Sequence, residues 1–220
     1  MGYEMNLLKI PLDDYREHLR AQRLMPSRKI LHEEMDAHFD ALKKQGIDNV
    51  GTLRRLIGTE MKIKEMARKT RIPADYLNIL RREIGSLVPK KIKLADFPGV
   101  DKATIEKMLE AGIRNSKDFF DKVTLESAEA LGICAAEYED IHALCDVVRI
   151  SGMGAVAARI FVDAGQKTVE AIAEANAQTL WEATCAVNDE KAYYGGVLSV
   201  KDMQFCIDYA SMILQLPRST

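Results

Sequence analysis

Residues 98–112 have the sequence PGVDKATIEKMLEAG, and residues 151–165 have the sequence SGMGAVAARIFVDAG. The two stretches align without a gap at an offset of 53 residues, and each combines a glycine turn, a helical stretch and an Ala-Gly stop. A short helix start follows each stop, at residues 113–119 and 166–172, and residues 46–53, GIDNVGTL, have the same form. Similarity at a regular spacing predicts a repeated helical unit.

The rest of the chain also has the pattern of helices. Apolar residues recur three and four positions apart, which is typical of a helix with one buried face, and sustained strand alternation is absent. We therefore predict an all-α fold. The apolar sets are Leu31, Met35, Phe39 and Leu42; Ile63, Met66 and Ala67; Leu77, Leu80 and Ile84; Ile105, Met108 and Leu109; Ile141, Leu144, Cys145 and Val148; and Met203, Cys206, Ile207, Ala210 and Leu214.

The positions of the glycines and prolines, which mark the ends of helices, predict three divergent copies of the unit. The first copy departs most at its front, where we expect one longer helix over 26–46 without a glycine turn. In the third copy we expect an insertion near 188–196. The downstream helix pairs are predicted over 59–84 with a break at 71–73 and over 124–148 with a break at 132–134. In the third copy, residues 177–184 begin the matching helix and residues 200–214 supply the last one.

The net charge of −2 is a cancellation between two halves of the chain. Residues 1–95 hold 20 Lys and Arg against 13 Asp and Glu, whereas residues 96–220 hold 11 against 20. We predict an N-terminal basic helical domain over 1–93 and a C-terminal domain over 94–220. Such asymmetry suggests that one half faces a polyanion, or that the halves attract each other or a second copy.

The composition also indicates the cellular compartment and excludes several classes of protein. With 47% apolar and 29% charged residues, the chain fits neither a disordered protein nor a disulfide scaffold. No apolar run approaches the length of a membrane span, and the N-terminal segment lacks the features of a signal peptide, so we expect a cytoplasmic protein without membrane contact. Cys134, Cys145, Cys185 and Cys206 form no CxxC pair, which favours free thiols over zinc or a disulfide.

The two glycine turns, residues 97–101 and 150–154, have a specific physical use. Glycine permits positive φ and close backbone approach, and the next helix points unpaired N–H groups and its positive dipole end outward. Such a turn can hold a phosphate group. We call these segments the first and second glycine turns.

The stretches FPGVDKATIEKMLEAGI and ISGMGAVAARIFVDAGQ resemble helix-hairpin-helix motifs. In DNA repair and recombination proteins, such motifs bind the phosphate backbone of duplex DNA without reading its sequence. The whole chain, including MPSRKILHEE, YLNILRREI and DFPGV, is similar to an uncharacterised bacterial family of helix-hairpin-helix-containing proteins. This resemblance implies repeated helix-hairpin-helix units and brings no established activity.

The resemblance transfers to this sequence in part. Gly99, Lys102 and Thr104 match the glycine, basic and hydroxyl positions of a DNA-binding hairpin, but Asp101 stands where a second glycine is usual. The second turn keeps its two glycines and lacks a basic residue after them. The alternative is a structural hairpin that joins two helices. The candidate contacts in the two turns are Gly99, Lys102, Thr104, Gly152 and Gly154.

Basic residues are dense between positions 54 and 93, where 12 stand against four acidic residues. Within this stretch, residues 63–77 resemble a helix-turn-helix, with the helix over 74–84 as the predicted reader. The alternative is a solvated charged face. The basic residues are Arg54, Arg55, Lys62, Lys64, Arg68, Lys69, Arg71, Arg81, Arg82, Lys90, Lys91 and Lys93.

The pattern does not indicate a metal site or catalysis. His32 and His38 are six residues apart and do not converge on one helix face, so we predict neither a metal nor another cofactor. No nucleophile, P-loop or dinucleotide motif is present. Tyr193, Tyr194 and the two glycines after them form either a binding loop or a turn packed by its own tyrosines.

The sequence therefore predicts a non-catalytic module that binds the DNA or RNA backbone through the 54–93 surface, without base reading. The amides near Gly99, Gly152 and Gly154 would support that binding. The alternative is a protein-interaction or self-assembly module of the same fold. A third hypothesis is an enzyme subunit or small-ligand protein that uses the 186–196 loop.

Overall fold

The computed structural model describes residues 2–217 and divides into two compact units. The N-terminal unit comprises residues 5–88, and the C-terminal unit comprises residues 2–4 and 89–217. In this described part, regular structure is helical with no β-strand, which confirms the all-α prediction. No helix within it has the length and apolarity to cross a membrane. The predicted boundary between residues 93 and 94 stays a prediction, because compactness alone does not define domains that fold independently.

The N-terminal unit contains five α-helices and two 3₁₀ segments. Helix α5 packs against α3, α4 and the second 3₁₀ segment, and its Tyr76, Leu77, Leu80 and Ile84 are buried. It is therefore the central helix of this unit. The helices are α1 (Leu12–Ala21), α2 (Met35–Lys43), α3 (Val50–Leu56), α4 (Glu60–Thr70) and α5 (Ala74–Ser86), and the 3₁₀ segments are Leu7–Lys9 and Pro26–His32.

In the C-terminal unit, helix α9 packs against α7, α8 and α10, and α13 packs against α11 and α12. Residues 143–150, at the end of α9 and just beyond, are all buried, so this segment runs through the core. The helices are α6 (Lys102–Glu110), α7 (Ser116–Lys122), α8 (Leu125–Ala130), α9 (Ala135–Val147), α10 (Ala155–Asp163), α11 (Val169–Ala173), α12 (Ala177–Lys191) and α13 (Val200–Gln215), and a 3₁₀ segment covers Leu94–Asp96.

Short polar side chains explain where most helices begin. An Asn, Asp, Thr or Ser side-chain oxygen accepts a backbone N–H of the first turn, which would otherwise lack a partner. Glycines with positive φ, such as Gly112 and Gly165, follow the ends of helices, where a side chain would be strained. The capping residues are Asn49, Thr59, Asp101, Asn115, Thr124, Thr168, Asn176 and Ser199.

Two expectations about element boundaries are wrong. Residues 26–46 do not form one long helix, because the 3₁₀ segment ends before Glu34 adopts a left-handed φ of 47° and α2 begins at Met35. The loop expected near 188–196 begins later than expected, because α12 continues to Lys191 before the chain turns at Ala192. The breaks predicted at 71–73 and 132–134 are confirmed.

Most of the apolar sets lie in the core as their spacing predicts. Phe39, Leu80 and Cys145 are completely buried. Leu109 differs, since half of its surface is exposed although the neighbouring Met108 is buried. The stripe on α6 is therefore split between the core and the surface.

A buried polar network joins distant parts of the C-terminal unit. Arg149 and Asp146 form a buried ion pair, and the second oxygen of Asp146 accepts the N–H of Val169 at 2.8 Å. The Arg149 guanidinium donates from Nε to the Tyr3 carbonyl at 3.2 Å and lies over the Phe120 ring. Removing one partner would leave the other charge buried without compensation.

We expect Asp146→Ala to lower the free energy of unfolding of the C-terminal unit by about 3 kcal/mol or more, because the buried Arg149 loses its counter-charge. Trp181, the single tryptophan, lies in that unit, so its fluorescence during urea denaturation measures the change. The exposed Glu106→Ala is the matched control and should shift stability by no more than about 0.5 kcal/mol. Equal stability of both variants would contradict the role of the ion pair.

Candidate nucleic-acid interface

The basic stretch is divided between the two units. Nine of its 12 cations lie in the N-terminal unit, and Lys90, Lys91 and Lys93 lie in the C-terminal unit. Residues 5–88 hold 17 Lys and Arg against 12 Asp and Glu, a net +5, whereas residues 1–4 and 89–220 hold 14 against 21, a net −7. The charge asymmetry seen along the sequence is thus an asymmetry between compact units.

Two of the nine cations are neutralised on their own helix. Lys64 lies 3.3 Å from Glu60, and Lys69 lies 2.6 Å from Glu65, both one turn apart on α4. Exposed pairs of this kind contribute little to stability, and they reduce the charge available to a ligand. The other seven form no ion pair with a described residue; they are Arg54, Arg55, Lys62, Arg68, Arg71, Arg81 and Arg82.

Cations from three helices meet at the turn between α3 and α4. Lys62 Nζ donates to the Arg55 carbonyl at 3.0 Å, and Arg81 Nη1 donates to the Gly58 carbonyl at 3.5 Å. Arg54 and Arg55 stand in the last turn of α3 and are exposed. We call Arg54, Arg55, Lys62 and Arg81 the α3–α4 cation cluster. Cations near the carbonyl end of a helix also favour the helix itself, so the cluster has a structural explanation as well.

The predicted helix-turn-helix has the expected outline, but its second helix is largely enclosed. Residues 71–73 separate α4 from α5, and Arg71 takes a left-handed φ of 63°. Along α5 the exposed positions are Asp75, Arg82 and Gly85, and Arg81 is half-buried. This face offers one cation, so the α3–α4 cation cluster is the stronger candidate surface of the unit; a reader role for α5 stays a prediction.

The first glycine turn has its helix N-terminus already occupied. Gly99 has a φ of 82°, and the Asp101 side chain caps α6 by accepting the Thr104 N–H at 3.0 Å. Thr104 is buried, and its hydroxyl donates to Glu137 at 3.0 Å. Lys102 is exposed. The predicted contacts Gly99 and Lys102 are therefore accessible, whereas the Thr104 hydroxyl is engaged inside the protein.

Arg159 of α10, which no sequence motif singles out, binds the backbone of the first glycine turn. Its Nε donates to the Pro98 carbonyl at 2.7 Å, and its two terminal nitrogens pair with Asp140 at 2.7 Å. Asp163 adds a contact at 3.2 Å. The available sequence signal is a single arginine in an otherwise apolar helix, four residues before an aspartate.

Carboxylates line the cleft beside this turn. The cleft has a volume of about 310 Å³, and Asp101, Glu137 and Asp140 are among its lining residues. The Cys134 backbone N–H and the Thr104 hydroxyl lower the pKa of Glu137, which keeps it charged at neutral pH. Negative charge at this position opposes phosphate binding.

The second glycine turn leaves its helix uncapped by a side chain. Gly152 has a φ of 84°, and Gly154 stands at the N-cap of α10 without a side-chain hydrogen bond to the first turn. No basic residue stands in that turn of α10. Within residues 2–217 no three His, Cys, Asp or Glu side chains are placed to hold a metal ion.

Residues 186–191 of the predicted 186–196 loop belong to α12, and the turn after them is held by nearby side chains. The Tyr194 ring occupies the space that a Cβ at Gly196 would need, with atoms 2.5 Å from that position. Asn188 exchanges hydrogen bonds with the Tyr194 backbone at 2.8 Å in both directions, and the Tyr193 hydroxyl donates to Asp163 at 3.1 Å. These contacts favour the tyrosine-packed turn over a binding loop.

These features define an all-helical protein with a basic surface in one unit and two glycine turns in the other. The chain belongs to a family described as a domain of unknown function, DUF4332, whose model matches residues 98–212. The match covers more than half of the chain and does not include residues 5–88, which carry the α3–α4 cation cluster. No curated protein and no solved structure matches the chain.

We expect Arg71→Gly to raise the stability of the N-terminal unit by about 1 kcal/mol, because glycine adopts the left-handed conformation without a Cβ penalty. Arg71→Ala keeps the Cβ and is the matched control, so its stability should stay close to that of the wild type. Thermal unfolding followed by circular dichroism measures the difference. A stabilising effect of alanine equal to that of glycine would contradict the conformational explanation.

We expect Asp101→Ala to destabilise the C-terminal unit by about 1 kcal/mol through loss of the α6 cap. Asp101→Asn keeps a capping oxygen without the charge, so it should lower the free energy of unfolding by no more than a few tenths of the loss caused by Asp101→Ala. Urea denaturation monitored by Trp181 fluorescence compares the two variants. Equal losses would mean that the charge of Asp101, rather than its capping hydrogen bond, stabilises the turn.

Proposed function

We propose that this protein is a non-catalytic, cytoplasmic module that binds the phosphate backbone of DNA or RNA through the α3–α4 cation cluster, together with Arg68, Arg71 and Arg82 of the same unit. The observation that carries the proposal is the group of seven basic residues on α3, α4 and α5 that form no ion pair with a described residue. Polyanions bind such surfaces through neutralised phosphates and released counterions.

The binding would not read sequence. The central helix α5 presents Arg82, the half-buried Arg81 and Asp75, which are too few side chains for a set of base contacts in a groove. Phosphate contacts position a protein on a duplex but carry no sequence information. We therefore propose similar affinity for duplexes of different sequence, with a strong dependence on salt concentration.

We further propose that the C-terminal unit contains repeated helix-hairpin-helix units, as the resemblance to bacterial proteins of that type implies. Helices α6 and α10 have equal length and lie 53 residues apart, as do their preceding glycines, Gly99 and Gly152, with φ of 82° and 84°. The caps of the next helices, Asn115 and Thr168, keep the same offset. These equal spacings support the proposal that the segments around α6 and α10 are two copies of one structural unit.

The two turns would contribute unequally to nucleic-acid binding. The second turn has an N-terminus that no side chain caps, so its amides suit a phosphate better. The first turn has the Asp101 cap and the acidic cleft, which oppose an anion. We assign Gly152 and Gly154 an auxiliary role and Gly99, Lys102 and Thr104 a weaker one.

Opposite charges on the two units favour a second candidate, a protein-interaction or self-assembly module. A net +5 on one unit and −7 on the other would attract a second copy in a head-to-tail arrangement. Light scattering across ionic strength tests this candidate. A chain that is monomeric at every salt concentration excludes self-assembly.

A mobility-shift titration tests the nucleic-acid proposal on the full chain. With a duplex of about two helical turns we expect a dissociation constant on the order of 10⁻⁵ M near physiological salt. Arg54→Glu with Arg55→Glu should weaken binding about tenfold or more. It should also reduce the log–log salt slope by about 0.9 for each phosphate that the variant no longer neutralises. Arg81→Glu with Arg82→Glu should act in the same direction.

The matched control is Arg23→Glu with Lys44→Glu, which changes the net charge equally at exposed sites of the same unit. These residues lie outside the cluster and should affect binding much less. Absence of binding to duplex and single strand at low salt, or equal effects of test and control pairs, would overturn the proposal. Circular dichroism confirms that each variant is folded.

A further inference from the structure

A groove of about 420 Å³ in the C-terminal unit is lined by both aliphatic and basic side chains. Its aliphatic lining residues are Leu94, Ile105 and Leu109, and we call them the aliphatic floor. Its basic lining residues are Lys91, Lys93 and Arg114, and we call them the basic rim. Ala95 and Asn115 complete the lining.

The floor contains exposed apolar surface on a helix that also contributes to the core. Met108 of α6 is completely buried, but Leu109 is 50% exposed beside the partly exposed Ile105. Single exposed leucines are common on protein surfaces, whereas apolar side chains that share a groove more often mark a binding site. The groove volume lies in the range of ligand pockets.

The rim is a local concentration of positive charge within a unit of net charge −7. Lys93 and Arg114 form no ion pair with a described residue, and Lys91 lies 4.0 Å from Glu4 at the limit of such a contact. The nearby Asp118 carboxylate accepts from Lys122, from the Arg114 backbone N–H and from the Asn115 side chain. Lys93 and Arg114 therefore lack a carboxylate partner among the described residues, whereas Lys91 is partly compensated by Glu4 and Asp118.

We propose that this groove binds an acidic segment of a partner protein, which places apolar side chains on the aliphatic floor and carboxylates against the basic rim. Charge complementarity selects the carboxylates, since like charge across an interface is strongly disfavoured. The aliphatic floor argues against nucleic acid, because bases stack on aromatic rings and the lining has none. The proposal is independent of the α3–α4 cation cluster.

Fluorescence anisotropy with the full chain tests the groove. The probe is a fluorescein-labelled peptide of repeated Glu-Glu-Leu-Leu, compared with Gln-Gln-Leu-Leu and Glu-Glu-Ser-Ser peptides of equal length. We expect the first peptide to bind and each of the others to bind at least about tenfold more weakly, which corresponds to about 1.4 kcal/mol. The first comparison isolates the carboxylates, and the second isolates the apolar side chains.

Substitutions in the groove should also weaken binding of the Glu-Glu-Leu-Leu peptide. Lys93→Glu with Arg114→Glu should weaken peptide binding about tenfold, and Leu109→Ser should weaken it severalfold. The matched controls are Lys167→Glu with Lys201→Glu for charge and Leu125→Ser for exposed apolar surface, all in the same unit. Methyl NMR shifts of Leu94, Ile105 and Leu109 on peptide addition locate the site and show that the variants are folded.

Several outcomes would overturn the proposal. These are no binding of the Glu-Glu-Leu-Leu peptide, equal losses in groove and control variants, or methyl shifts elsewhere. Displacement of the peptide by a single-stranded oligonucleotide that requires the basic rim would assign the groove to nucleic acid. Wild-type self-association that Leu109→Ser abolishes would assign it to a second copy. Arg54→Glu with Arg55→Glu should leave peptide binding unchanged, which separates this result from that of the nucleic-acid test.

Discussion

The buried ion pair of Asp146 and Arg149 organises the C-terminal unit. A charge inside a protein is tolerated when a counter-charge and hydrogen bonds replace the water it has lost. Here Asp146 also accepts the first amide of α11, while Arg149 binds the carbonyl of Tyr3 from the other end of the chain. The pair thus fixes the start of α11 and the position of residues 2–4 relative to the core helix α9. Without these contacts, burial of the two charges would be energetically unfavourable.

The same requirement governs the surface chemistry of this unit. Arg159 neutralises Asp140 and Asp163 and holds the Pro98 carbonyl, so charges near the first glycine turn are engaged in internal contacts. In the N-terminal unit, Arg20, Arg28 and Lys43 are likewise paired with carboxylates. Arg54 and Arg55 differ, since they form no ion pair with a described residue. Charges that the fold does not use are available for ligands. This difference is the physical basis of the two proposals, polyanion binding by the N-terminal unit and peptide binding at the basic rim.

Much of the fold followed from local rules that the sequence displays. Capping residues such as Asn115 and Thr168, and glycines such as Gly112 and Gly165, mark helix ends because their conformations depend on neighbours within one turn. The boundary of α12 and the break before α2 could not be predicted in this way. A left-handed Glu34 or Ala192 carries no compositional signal, and packing by the rest of the unit compensates its strain. The exposure of Leu109 could not be predicted either, because the apolar spacing along α6 does not show which of its apolar residues faces the core.

The sequence by itself determined the helical class, most helix breaks and the separation of positive from negative charge, because these depend on composition and on spacing within a few residues. The tertiary structure decided which charges are used and which remain free. Thr104 matches the hydroxyl position of a motif and Arg159 matches no motif, yet their partners Glu137 and Pro98 lie 33 and 61 residues away in the chain. Whether a side chain is engaged by such a partner depends on three-dimensional packing, and therefore only the structure distinguishes the occupied first turn from the open α3–α4 cation cluster.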